Sequence, residues 1–349
     1  MIKVGFYTAT PGLCDESVIF SYKSPMRPDD TNRKYGDFYK KCSKFGIDLK
    51  CIQNTDDLNW AEIILVADVA PKFDMLSRDI IRSNKPKILI LEECEVIRPD
   101  LWEKKLWDKF DHILTWRDSL VDDQKFYKVN FSETRIPVRG NSFNNRKFST
   151  MISSNKHIRH PLELYSERRA IINWYTKNNI DLFDLYGFDW DLKAFPLYGS
   201  ILSILNGKKF KFLRKFLGNP PKSWQGVIEA KKNIYTKYKF AFSFENAKGI
   251  DGYVLEKIFD PMFAGCIPVY FGAPNIQDHV PSNCFIDYRD FKNIHDLHTY
   301  LQSIKKSDFI NYQNNARKFL TSKKSYIFST EYFCNVLLSS IMKLNSKNI

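Results

Sequence analysis

The sequence predicts an α/β protein built from two Rossmann-like halves. Three observations carry that prediction. The chain has 349 residues, the length of two ordinary domains, and 44% of them are hydrophobic, enough for two cores. Apolar runs alternate with amphipathic stretches, as parallel strands alternate with crossover helices. Near the middle, "NFSETRIPVRGNSFNNRKFST" (130–150) carries Pro137 and Gly140 and follows neither period, so it reads as a linker.

The elements follow in order. "IKVGFYT" (2–8) is a strand that meets a Pro-Gly turn, and "RKYGDFYKKCSKFG" (33–46) is a helix. "IDLKCIQ" (47–53), "AEIILVA" (61–67), "KPKILILE" (85–92) and "HILTW" (112–116) are further strands, with "MLSRDIIRSN" (75–84) a helix among them. Beyond the linker come "MISSN" (151–155), the helical "PLELYSERRAIINWYTKN" (161–178) and "DLFDLYGFDW" (181–190). "YKFAFSFENA" (238–247), "CIPVYFG" (266–272) and "CFIDYRD" (284–290) read as strands, and residues 327–349 as a closing helix with a frayed end. The expected division is therefore 1–150, including the linker, then 151–325, then a closing helix and tail over 326–349.

Composition narrows the function classes. The first residues lack the long apolar stretch of a secretory signal, and no run of eighteen apolar residues suggests a membrane span, so a cytoplasmic location is expected. The seven cysteines are scattered and never form CxxC, which points to reduced thiols rather than disulfides or zinc. In that compartment the sequon at Asn130 stays unused. The net charge of +13 predicts attraction to an anion. RNA-recognition and zinc-finger signatures are absent, so no nucleic-acid partner is expected. Charge is densest in "NGKKFKFLRKFLGNPPKSW" (206–224), where Lys208, Lys209, Lys211, Arg214 and Lys215 interleave with Phe210, Phe212, Leu213 and Phe216. That mixture suits a helix lying on an anionic membrane, peripheral to the inner face; it equally suits a solvated helix whose aromatic side enters a core.

The most polar strand-to-helix junction is "FSFENAKGIDGYVLEK" (242–257). If a helix begins near Gly252, Tyr253, Glu256, Lys257 and Asp260 share one narrow arc, opposite Val254, Leu255, Ile258 and Phe259. A helix N-terminus at the carboxyl end of a sheet is a common phosphate site, where Lys257 would neutralise charge and Glu256 would hold sugar hydroxyls. An ordinary amphipathic helix fits the same pattern.

The longer stretch "YKFAFSFENAKGIDGYVLEKIFDPMFAGCIPVYFGAPNIQDHVP" (238–281) resembles the signature of glycosyltransferase family 10, the bacterial α1,3/α1,4-fucosyltransferases. Weaker resemblance extends through "QGVIEAKKNIYT", "SERRAIINWY" and "LEECEVIRP". The resemblance implies a GT-B fold, two Rossmann-like domains facing an interdomain cleft. The C-terminal half would bind GDP-fucose and the N-terminal half an oligosaccharide acceptor containing GlcNAc or glucose. Fucose would pass with inversion, α1,3 foremost, in glycan, lipopolysaccharide or protein glycosylation. This sequence departs from the signature at Leu255, where the family has threonine, at Phe271, where it has tryptophan, and by one extra residue in "NAKGIDGY". Pro261 removes a backbone hydrogen bond and is expected to kink or end the helix.

Transfer from a nucleotide sugar makes demands that residues can meet. Negative charge grows on the departing diphosphate. By the resemblance, Lys257 and Arg168 meet it, with Arg169 one position away, and Asn246, Tyr253 and Glu256 complete the donor site. The acceptor hydroxyl needs a carboxylate base. Glu92, Glu93 and Glu95 follow the apolar "KILIL", and mutual repulsion among them should raise one pKa. If the strand continues, Glu93 and Glu95 share a face and Glu92 points away, so spacing leaves two candidates. The resemblance favours Glu93, which stands three residues before Val96 and six before Pro99. No metal or other cofactor is expected, and Asp184, Asp189 and Asp191 are read as shaping the donor domain. A related transferase using another GDP-sugar, a non-catalytic sugar-binding relative and a nucleic-acid binder remain as alternatives.

Overall fold

The structure, a computed structural model, describes residues 1–10, 12–22, 33–70, 74–131, 137, 140–196 and 201–347. The chain divides into two units, Met1–Thr134 with Lys323–Ile349, and Arg135–Ser322.

The first unit holds a parallel sheet of β1 (Ile2–Thr8), β2 (Ile47–Cys51), β3 (Ile63–Asp68), β4 (Lys87–Leu91), β5 (His112–Thr115) and β6 (Phe126–Lys128), in the order β2-β1-β3-β4-β5-β6. β1 lies between β2 and β3, with Ile2 opposite Ile47 and Val4 opposite Ile63. Strand alternation places Ile88 and Ile90 in the core on one face, and Leu89 and Leu91 in the core on the other. Burial on both faces explains why these strands are continuous apolar runs. The closing helix, Thr330–Lys347, belongs to this first unit rather than standing apart. Its Phe333, Leu337, Ile341 and Leu344 recur at helical spacing and join Phe38 of the helix Arg33–Cys42 in one core.

The second unit holds β7 (Lys147–Ile152), β8 (Phe183–Tyr186), β9 (Tyr238–Phe244), β10 (Ile267–Phe271) and β11 (Ile286–Asp287), parallel throughout, in the order β11-β10-β9-β7-β8. β7 begins inside the stretch read as linker. Its polar look has a physical cause: Ser149 and Thr150 are buried but donate their hydroxyls to the carbonyls of Leu182 and Asp184, at 2.7 and 2.8 Å. Residues 132–136 and 138–139 of that stretch lie outside the described residues. In each sheet the order reverses at the first strand, β1 and β7, and the crevice beyond the carboxyl ends there is where open α/β sheets place ligands.

Among the described residues no helix is long and apolar enough to cross a membrane, and no group of three or more His, Cys, Asp or Glu could hold a metal ion. The seven cysteines are free thiols, six of them buried.

Candidate functional site

In the second unit the polar junction is built around a glutamate to which the sequence reading gave no role. β9 ends at Phe244, and the next residue, Glu245, is fully buried. One carboxylate oxygen accepts from the Leu255 amide at 2.8 Å; the other lies 3.3 Å from the Lys257 ammonium. The carboxylate can sit there because position 272 is glycine. A Cβ at Gly272 would come within 2.5 Å of Glu245 Cγ and 2.6 Å of the Tyr270 hydroxyl. The signal for Glu245 was available, since an acid directly after an apolar strand in a buried turn must find a cation.

The helix starts later than its periodicity suggested, at Glu256, with extended Leu255 before it. Tyr253 and Val254 are fully buried and Gly252 has φ 71°, so these residues form a loop rather than a first turn. The Gly252 amide donates to Asn275 Oδ1 at 2.9 Å, which holds the loop in place. Tyr253 therefore does not share the helical arc. Its hydroxyl instead accepts from Asn246 Nδ2 at 3.3 Å. The helix runs two residues past Pro261 and closes at Gly265, φ 65°.

Four of the expected donor residues are brought together at the carboxyl end of β9. Arg168, on the helix Tyr165–Asn178, is buried over the Tyr165 ring. Its Nη2 donates to the carbonyls of Phe244 and Glu245, both at 2.7 Å, and to Asn246 Oδ1 at 3.2 Å. Lys257 lies 3.5 Å from Glu256 as well as against Glu245. Glu256 and Asp260, one turn apart, share Lys231 at 3.5 and 2.9 Å.

The electrostatics follow from this alternation of signs. Burial works against the Lys257 ammonium, but the Glu256 and Glu245 carboxylates outweigh it and hold its pKa above the ordinary lysine value. Burial would raise Glu256, yet Lys257 and Lys231 more than cancel it and hold that carboxyl well below its usual range. For Glu245 burial prevails over Lys257, and its pKa is raised. The result is a fixed cation beside a strand end, held between two carboxylates whose pKa values are shifted in opposite directions. Arg169, the alternative to Arg168, points elsewhere. It donates to the Lys156 carbonyl at 2.7 Å and lines a separate cavity of about 320 Å³ with Trp190 and Lys193.

In the first unit a cavity of about 120 Å³ opens at the carboxyl ends of β1, β3 and β4, lined by Thr8, Asp68, Glu92, Glu93 and Arg98 among others. β4 stops at Leu91 and the chain turns, with the amides of Ile97 and Arg98 donating to the Cys94 carbonyl at 3.0 and 2.9 Å. The strand does not continue, so the alternation assumed for the three glutamates fails. Glu92 and Glu93 both line the cavity. Glu92 is held by Lys34 at 3.1 Å and by the Tyr35 hydroxyl. Glu95 turns away into an ion pair with Arg117, whose guanidinium lies 4.3 Å from the Trp102 ring centroid. The Trp102 indole donates to the Glu93 carbonyl at 2.9 Å, which fixes the backbone at that point.

A further carboxylate in this cavity was missed by sequence reasoning. Asp68 closes β3, accepts from Thr10 Oγ1 at 3.2 Å and pairs with Arg98, which also grips Asp100 through two nitrogens at 2.9 and 2.8 Å. Burial raises the Asp68 pKa against the pull of Arg98. The signal lay in "LVAD", an acid ending an apolar strand. Of the aspartates read as shaping the second unit, Asp184 accepts from Lys147 at 2.8 Å and from the Tyr238 hydroxyl at 2.6 Å, and Asp189 occupies a turn with φ 65°.

Comparison with known proteins bears on this geometry. Residues 215–346 match the family described as "Glycosyltransferase family 10 (fucosyltransferase) C-term". A GDP-fucose protein O-fucosyltransferase 3 from Xenopus laevis is 43% identical over 77 residues, 22% of this chain and 16% of that protein. An alpha-(1,3)-fucosyltransferase FucT from Helicobacter pylori is 36% identical over 75 residues, again 22% and 16% of the two chains. The matched segment thus spans about one sixth of the length of these curated relatives. The crystal structure of an alpha1,3-fucosyltransferase superposes with a TM-score of 0.55 at 14% identity, covering 98% of this chain and 89% of that one. The shared fold is the GT-B type, two parallel α/β units.

Proposed function

From the premise that residues 215–346 carry the C-terminal region of glycosyltransferase family 10, we propose that the protein is a cytoplasmic inverting fucosyltransferase. It transfers fucose from GDP-fucose to a hydroxyl of a glycan containing GlcNAc or glucose, with α1,3 linkage. The observation that carries this reading is the group at the end of β9, Arg168 with Asn246 and Lys257 between Glu245 and Glu256, inside or bonded to the segment that matches the family.

In the reaction the bond from the anomeric carbon to the β-phosphate oxygen breaks, and the bond to the acceptor oxygen forms on the opposite face. The electron pair leaves with GDP, and Lys257 and the Arg168 guanidinium offset the added charge on the diphosphate. Glu256, kept ionised by its two lysines, accepts hydrogen bonds from sugar hydroxyls. Tyr253 is buried and acts through Asn246. Glu93 takes the proton of the attacking hydroxyl, while Glu92 and Asp68, each anchored by a cation, orient the acceptor ring. The carboxylates and cations named supply proton transfer and charge stabilisation without a metal.

The test is purified protein with GDP-fucose and a panel of N-acetyllactosamine, lacto-N-biose and glucose-terminated acceptors, scored for GDP release and for product linkage. Fucosylated product from at least one acceptor is expected. GDP-fucose bound without turnover on any of them would favour a non-catalytic sugar-binding relative, and turnover with GDP-mannose alone would move the proposal to another GDP-sugar.

A further inference from the structure

The dense basic-aromatic stretch of the second unit leaves its aromatic side uncovered. In the short helix Lys211–Phe216, Phe212 is 86% and Phe216 80% exposed, and the next side chains round, Leu213 and Leu217, are about half exposed. The helix is fixed to the body on its other side. Arg214 is buried, with Nε donating to the Lys193 carbonyl at 2.9 Å and Nη1 to the Asn206 carbonyl at 3.3 Å. Just past the helix, Gly218 packs so closely on the Asp191 carbonyl that a Cβ there would lie 2.1 Å from its oxygen. The segment is thus a braced face and not a loose tail.

Helical spacing then sets what the face presents. With Arg214 pointing inward, Phe212 and Phe216 lie about 160° away on either side, straight outward. Lys211 and Lys215 stand on one flank and Leu213 and Leu217 on the other. Charge reinforces the pattern. From Leu192 to Ile228 the chain contains seven lysines and arginines and no aspartate or glutamate. Lys209, Lys211 and Lys215 are exposed; the Lys208 side chain lies outside the described residues. A core would cover the phenylalanines, and a merely solvated face would carry both signs of charge and fewer rings.

We propose that this face docks on an anionic membrane surface, with Phe212 and Phe216 entering the boundary between headgroups and acyl chains and the lysines meeting lipid phosphates. Two rings one turn apart, flanked by lysines on one side and leucines on the other, match both layers of such a surface: apolar below, anionic above. The inference does not depend on the reaction the protein catalyses.

Vesicle sedimentation tests it. The protein is expected to bind vesicles of phosphatidylcholine with phosphatidylglycerol, weakly or not at all those of phosphatidylcholine alone, and less as salt rises. The pair Phe212→Ser with Phe216→Ser should weaken binding at least about tenfold. Neutralising Lys209, Lys211 and Lys215 to Gln should weaken it roughly fivefold per lysine and flatten the salt dependence. Unchanged thermal melting would show that both variants fold. No binding of the wild type to anionic vesicles, or binding untouched by either variant, overturns the proposal. So does a wild-type dimer that the phenylalanine variant converts to monomer without vesicle binding, since the face would then join two copies of the chain.

Discussion

Replacing Lys257 with alanine separates the structural role of the junction from its binding role. In the folded chain the ammonium is the counterion of a fully buried Glu245 at 3.3 Å and a neighbour of Glu256 at 3.5 Å. Glu256 keeps Lys231 after the substitution; Glu245 loses its cation. Breaking a buried pair from one side costs about 3–5 kcal/mol. Lys257 retains 22% side-chain exposure, which lets water screen part of that, so a loss of about 2–3 kcal/mol at neutral pH is expected. The loss should depend on pH with a defined sign. The Glu245 pKa is already raised by burial in the folded protein, and removing Lys257 raises it further. A carboxyl with a folded pKa above its unfolded one favours the fold while protonated, and that contribution is lost as pH rises through the folded value. The variant's deficit should therefore be smallest at acid pH and widen as pH rises through the folded Glu245 values, by at most about 1.4 kcal/mol per pH unit. Denaturant melts of both proteins at four pH values measure it. Adding Glu245→Gln should recover much of the stability at pH 8 without recovering GDP affinity. A deficit that stays constant with pH would mean that Glu245 does not carry the uncompensated charge, and the account of the junction would fail.

Other outcomes follow from the same geometry. Glu93→Gln should lower turnover roughly a hundredfold while leaving GDP affinity intact; near-normal turnover in that variant, with Glu95→Gln inactive, would assign the base to Glu95. Asp68→Asn should raise the acceptor KM with kcat held, whereas a fall in kcat at constant KM would give Asp68 the role assigned to Glu93. Gly272→Ala drives a methyl into Glu245 and Tyr270 and should cost about 1–3 kcal/mol in a thermal melt, with weaker GDP binding. A chelator such as EDTA should leave transfer activity in place, and its complete loss would require a metal in the mechanism.

Much of the fold was legible because both sheets are parallel and buried on both faces, which writes their strands as apolar runs such as "KILIL" and "FAFSF". β7 was obscured by Ser149 and Thr150, whose hydroxyls are satisfied by neighbouring backbone and so look like linker chemistry. The start of the helix at Glu256 was misplaced because Tyr253 falls on the polar side, and Val254 and Leu255 on the apolar side, of a helix begun at Gly252, although all three are buried from a loop before it. Glu93 could not be told from its neighbours by alternation, since alternation holds only while a strand lasts and β4 ends at Leu91. Glu245 and Asp68 each end an apolar run, which marks them as candidates, but only the fold shows that their positions are enclosed and held by a cation. The aromatic side of 211–216 could have been core or surface by spacing alone; only the inward anchor at Arg214 decides.

The central claim is that the group at the end of β9 receives a guanosine diphosphate-linked sugar. Thermal melting of the wild-type protein with GDP and, separately, with UDP at equal concentration tests it most directly, because a ligand that binds only the folded state raises the midpoint in proportion to its affinity. A clear rise with GDP and a far smaller one with UDP is the predicted result. Equal stabilisation by both nucleotides, or none by GDP, would contradict it.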